Sequence, residues 1–134
     1  MFDALDMAAS GLLAQRTRLD TIAANIANAT TTHDAAGKVN PYRRRFVVFG
    51  AGQPDRPAKP GVHVANVQVD PSPFQRRFEP GHPDRDADGY VSYPNIDLSV
   101  EYVNALEASR AYEANVSMME VSKAMINASL RLIA

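Results

Sequence analysis

Residues 95–134 read NIDLSVEYVNALEASRAYEANVSMMEVSKAMINASLRLIA, with no proline or glycine among them. Stepping by sevens from Leu98 meets Ala105, Tyr112, Met119, Ile126 and Ile133. A second series, offset by four, runs through Tyr102, Ser109, Val116, Lys123 and Leu130. Alternating steps of four and three wind a narrow, mostly apolar seam along one long α-helix. Asn95 or Asp97 is placed to cap its start. At ~1.5 Å per residue such a helix is about 55 Å long, whereas a compact chain of this size has a radius of gyration near ~14 Å. A private globule cannot enclose it, so the seam requires a partner.

The other end of the chain repeats the pattern. Leu5, Leu12, Leu19 and Ile26 are spaced by sevens, and Ala8, Gln15, Ile22 and Ala29 form the offset series. Eight alanines in the first 29 residues favour helix and permit close approach of a second helix. Gly11 costs this helix about 1 kcal/mol unless a neighbour packs against it. Two seam helices at opposite ends predict an antiparallel pair. Periodicity alone also allows an ordinary core pair in a small bundle. Their shared length and the small middle segment favour an open coiled coil, its outer apolar positions covered by other subunits.

Between the helices the chain reads as a small β-module. Thr30–Asn40 is rich in turn formers, and Pro41 opens a strand-like run from Tyr42 to Phe49. Within it Arg44 points opposite to Arg43 and Arg45, because strand side chains alternate. That splits the basic patch, and the arginines read as a solvated or subunit-contacting face. Gly50–Gly61, with Pro54, Pro57 and Pro60, reads as an exposed, mobile loop. In the next strand, Val62–Asp70, the apolar positions change parity between Val64 and Ala65, the mark of a bulge. Phe74–Phe78 is a short third strand.

Asp84, Asp86 and Asp88 followed by Gly89 imitate the first half of a calcium-binding loop. The twelfth position, where a bidentate glutamate belongs, is Asn95, and Pro80 and Pro83 exclude an entering helix. The segment therefore reads as an acidic hairpin turn. His33, His63 and His82 lack metal-ligand spacing and read as surface residues. No cofactor is expected, and no nucleophile elbow or glycine-rich phosphate loop points to catalysis. An enzyme with a helical lid would need a pocket of convergent polar groups, of which the sequence gives no sign.

The net charge of −1 argues against nucleic-acid binding, and the 46% hydrophobic content against wholesale disorder. Without cysteine there are no disulfides or thiolate metal sites. No apolar run suffices to span a bilayer. Asp3 and Asp6 stand where a secretory signal carries positive charge, so none is expected.

Ala9-Ser10-Gly11-Leu12, Ala14-Gln15-Arg16 and Ile22-Ala23-Ala24-Asn25-Ile26-Ala27-Asn28-Ala29-Thr30 resemble the N-terminal signature of bacterial flagellar rod and hook proteins. Asp70-Pro71-Ser72-Pro73-Phe74, Glu79-Pro80-Gly81-His82-Pro83, Gly89-Tyr90-Val91-Ser92-Tyr93-Pro94-Asn95 and Ser109-Arg110-Ala111-Tyr112-Glu113-Ala114-Asn115-Val116 are similar to the short proximal-rod members of that family. The resemblance implies a structural subunit that stacks helically, transmits torque and walls an export channel. It implies as partners copies of itself, proximal and distal rod subunits, the protein joining rod to MS ring, and the flagellar type III export apparatus. It places the chain in the rod crossing the periplasm, exported without a cleaved signal.

The expected architecture is α+β. An N-terminal helix (1–32) and a C-terminal helix (95–134) pair as an antiparallel coiled coil, with a β-module (33–94) inserted between them. The expected assembly contacts are Leu5, Leu12, Leu19, Ile22, Asn25, Ile26 and Asn28 on the first helix. On the second they are Leu98, Tyr102, Tyr112, Asn115, Val116, Met119, Ile126, Leu130 and Ile133. The competing class is a soluble coiled-coil adaptor that binds a single partner.

Overall fold

In a computed structural model, which describes residues 2–134, the chain forms two long helices and four short strands. α1 (Phe2–Ala27) and α2 (Leu98–Ile133) run antiparallel, making the fold α+β. Three contacts fix the direction: Asn25 meets Glu101, Arg18 meets Glu107, and Gly11 meets Asn115. One helix ascends as the other descends, so the start of α1 lies opposite the region of Met125. The last turns of α2 project beyond it.

Local chemistry sets the helix ends. Asp97 caps α2, its carboxylate accepting the Ser99 N–H at 2.9 Å. α1 closes through Asn28, whose backbone N–H and side-chain amide both donate to the Ala24 carbonyl. The Thr31 hydroxyl donates in turn to Asn28 Oδ1.

The intramolecular seam is turned from the expected one. Ala8, Gly11, Ala14, Ile22 and Asn25 are the buried positions of α1, and Glu101, Ala108 and Ser122 those of α2. The offset series of α2 therefore falls one residue before Tyr102, Ser109, Val116 and Lys123. Small residues decide this, since close helix approach needs alanine and glycine between the axes. The larger residues of the apolar stripe are left at the flanks or outside.

The middle holds four strands in two antiparallel pairs, where three were expected. β1 (Arg45–Ala51) pairs with β2 (Val62–Val69), and β3 (Gln75–Phe78) with β4 (Tyr90–Tyr93). β1 starts three residues later than the strand-like run, because the Arg44 N–H bonds to Asn95 instead of a strand. Val48 faces Asn66 while Phe49 faces Val64, so Ala65 is the extra residue of a bulge, as the parity change predicts. β3 and β4 are joined through the acidic turn. At its end Gly89 has φ of +84°, and a β-carbon there would stand 3.0 Å from the Phe78 ring.

The Gly50–Gly61 segment is largely exposed, as the sequence suggests, and is tied down at its base and side. Gly52 N–H donates to the Gly61 carbonyl, and the Val62 N–H donates to Ser10 Oγ. Lys59 reaches Asp6 at 3.4 Å. The β1–β2 pair is thereby laid along α1.

Candidate assembly interface

A buried polar node joins both helices to the β-module. Glu101 is 0% exposed, yet it carries a carboxylate. Arg44 Nε donates to it at 2.5 Å, and Asn25 Nδ2 approaches at 3.4 Å. Asn25 also receives the Arg45 N–H and donates to the Arg45 carbonyl. Asn95 accepts the Arg44 N–H and donates to the Asp70 and Ser72 carbonyls. Such a network contributes orientation more than net stability, because desolvating the ions offsets their attraction. Here it fixes the β-module against one end of the helix pair.

Arg45 is exposed, as a solvated or subunit-contacting face requires, but Arg43 and Arg44 are half-buried and bond within the chain. Arg44 is turned inward, as opposed to its neighbours. Arg43 lies 4.1 Å over the Phe74 ring and donates to the Asp70 and Ser72 carbonyls. Asp70 is held below the usual carboxylate range, chiefly by hydrogen bonds from Ser72 and further by Arg44.

The half calcium motif is occupied with other work. Asp84 accepts the Thr32 hydroxyl at 2.6 Å and contacts His33 at 3.0 Å. Asp86 accepts the N–H groups of Asp88 and Tyr90 and pairs with Arg76 at 2.8 Å. Both carboxyls are lowered, Asp84 mainly by Thr32 and Asp86 mainly by Tyr90. His33 is exposed, as the surface reading expects, whereas His63 and His82 are half-buried and bond within the fold. His63 bonds the Gly52 carbonyl, and His82 accepts the Asp84 N–H.

The expected contact residues fall into three groups. Ile22 and Asn25 are buried within the single chain, at 6% and 0% exposure. Leu5, Leu12, Leu19, Ile26, Asn28, Asn115, Val116, Met119 and Ile126 are half-buried along the flanks. Leu98, Tyr102, Tyr112, Leu130 and Ile133 are exposed.

Heptad reading missed a second stripe. Met118, Val121, Met125 and Leu132 are exposed and follow steps of three, four and seven on α2. Val103 and Leu106 precede them, and Met7 and Leu13 are exposed on α1. The sevenfold spacing of Met118, Met125 and Leu132 was the available signal. Covering each such side chain is worth roughly 1.5–3 kcal/mol, which makes the stripe a candidate contact face. The arrangement offers an apolar contact face along α2.

The comparisons agree with that geometry. Residues 5–32 match the family described as flagella basal body rod protein. Residues 87–132 match the C-terminal family of flagellar basal body rod FlgEFG proteins. Flagellar basal-body rod protein FlgC of Yersinia enterocolitica is 41% identical over 98% of this chain and 97% of its own length. The FlgC proteins of Borreliella burgdorferi and Bacillus subtilis are 37% and 35% identical, with 99% and 98% of this chain covered and 97% of each relative. The chain belongs to the FlgC family of flagellar basal-body rod proteins. The two matched regions of this FlgC-family chain cover α1 from Leu5 onward and α2 as far as Leu132, and the second takes in β4 as well. Among the described residues, no helix is long and apolar enough to cross a membrane.

Proposed function

We propose that this chain is a structural subunit of the flagellar basal-body rod, incorporated through the outer faces of α1 and α2. The observation that carries the reading is the uncovered stripe Met118, Val121, Met125 and Leu132 in a chain of this family. Neighbouring copies and other rod subunits cover that stripe and stack the chain helically. Packed interfaces then transmit torque, and the helix pairs wall the channel through which later subunits travel. The subunit reaches the rod through the type III export apparatus without a cleaved signal. Its functional residues are contact residues, and it performs no catalysis. Fractionation of cells carrying a tagged chain tests this: it co-purifies with basal bodies, and its removal abolishes swimming. A chain that stays with one cytoplasmic partner, in cells that swim without it, is an adaptor instead.

A further inference from the structure

The free edge of β1 faces a groove that none of the described residues fills. Asn25 makes with Arg45 the two hydrogen bonds that an adjacent strand would make: its amide donates to the Arg45 carbonyl at 2.7 Å and its oxygen accepts the Arg45 N–H at 3.0 Å. The side chain is a one-residue substitute for a third strand. Asp70 N–H donates to the Arg44 carbonyl, so residues 44, 46 and 48 face β2 with their backbone groups. Arg45, Val47 and Phe49 therefore present theirs to the opposite edge. Asn25 satisfies Arg45. For Val47, no bond outside the ladder occurs among the described residues.

Val47 and Phe49 form one wall of a groove of about 640 Å³. Gln15 and Arg18 of α1 and Asn104 and Glu107 of α2 also line it. Gln15 Oε1 is buried there without a hydrogen-bond partner. Among the arginines lining the groove, Arg44 is spent on Glu101 and Arg18 reaches Glu107 at 3.5 Å. Arg45 has no carboxylate partner among the described residues.

We propose that this groove takes an extended acidic segment of another polypeptide, which adds to β1 as a strand and continues the pairing that Asn25 begins. An unpaired strand edge is a template for such addition, and main-chain bonds supply its affinity. The Val47 N–H and carbonyl pair with the incoming backbone, and Gln15 Oε1 accepts one of its donors. A carboxylate on the segment reaches Arg45. β3 is not the occupant from a second copy, because its Arg76 and Arg77 bring the same charge. This contact is separate from the helix faces of the rod reading and stands or falls without it.

The probe is a capped seven-residue peptide alternating valine with glutamate and threonine, added to the isotopically labelled full chain. Its binding is expected to slow amide exchange at Val47, and replacing glutamate by lysine to weaken binding. Val47→Pro removes one edge donor while leaving the β2 ladder intact, and weakens the peptide roughly tenfold, the scale of one hydrogen bond. Should that variant fail to fold, methylating the peptide nitrogens on its pairing edge makes the same test. Unchanged exchange at Val47 at millimolar peptide overturns the proposal. So does binding that survives loss of the edge donor, or equal binding of the lysine peptide.

Discussion

The carboxamide of Asn115 fills the space that a side chain on Gly11 would need. A β-carbon at Gly11 would stand 2.7 Å from Asn115 Oδ1, and the same carboxamide donates to the Ala111 carbonyl. The glycine that weakens α1 as an isolated helix is thus a point where a side chain of α2 packs directly against its backbone. Gly11→Ala gains about 1 kcal/mol of helix propensity but displaces this side chain, and we expect a lower melting temperature. In an Asn115→Ala background the three nearest obstructing atoms are gone, and the expected sign reverses. Thermal unfolding of the four variants measures the coupling. Equal effects in both backgrounds would show that Asn115 gives way freely.

The node at Glu101 makes a second prediction. Glu101→Ala leaves Arg44 without its buried partner and is expected to cost roughly 3–5 kcal/mol. Replacing Glu101 and Arg44 together by leucine is expected to cost less than the single change, since the buried carboxylate and its guanidinium leave together and Asp70 keeps its hydrogen bond from Ser72. Urea unfolding compares them. A double variant worse than either single one would mean that the pair stabilises outright.

The extent to which the sequence disclosed this fold depends on which residues set each feature. Leucines at sevenfold spacing make the helices and their pairing legible, and the parity change at Ala65 makes the bulge so. The rotation of the pair was hidden, because heptad reading weights large side chains while Ala8, Gly11, Ala14 and Ala108 set the approach. Alternation shows that Arg44 points away from Arg43 and Arg45, yet not that it meets Glu101, distant in sequence. Glu101 looks like any solvated helix charge. β4 is only four residues beside an acidic turn, too short for a periodic signal. Of the candidate contacts, the motif that singles out Asn25 identified a residue holding the chain's own β1. The exposed stripe at Met118 and Met125 lay one helix face away from the seam that was followed.

Acid should loosen the hairpin from the first helix's end. The Thr32 hydroxyl holds the Asp84 carboxyl below its ordinary value of 3.8, with His33 assisting. A carboxyl lowered by folding stabilises the fold above its unfolded value, and that contribution is lost as pH falls through the lower, folded one. Thr32→Val is expected to move the Asp84 titration upward towards 3.8 and to release the Asp84–His33 contact at a higher pH. Carboxyl chemical shifts followed from neutral pH into acid decide the matter. An Asp84 titration unmoved by Thr32→Val would remove the hydroxyl as the cause.

Assembly and folding should separate at Met125. Its side chain is 61% exposed in the single chain, so Met125→Asp is expected to change monomer stability by no more than about 0.5 kcal/mol. In the rod reading a neighbouring helix covers this position, and an unpaired carboxylate there costs several kcal/mol. Incorporation into basal bodies and swimming should both be lost while expression is normal. Ala108→Asp is the contrasting variant: Ala108 is 0% exposed, so a charge there should unfold the monomer itself. The projecting end of α2 adds a check on the isolated chain. Beyond Met125 the helix lacks α1 beside it, and a short unsupported helical end frays in water. Hydrogen exchange should be fast from Ile126 onward and slow around Glu101 and Ala108. Swimming cells that carry only Met125→Asp would return the stripe to plain solvent exposure, whatever the exchange pattern at the helix end.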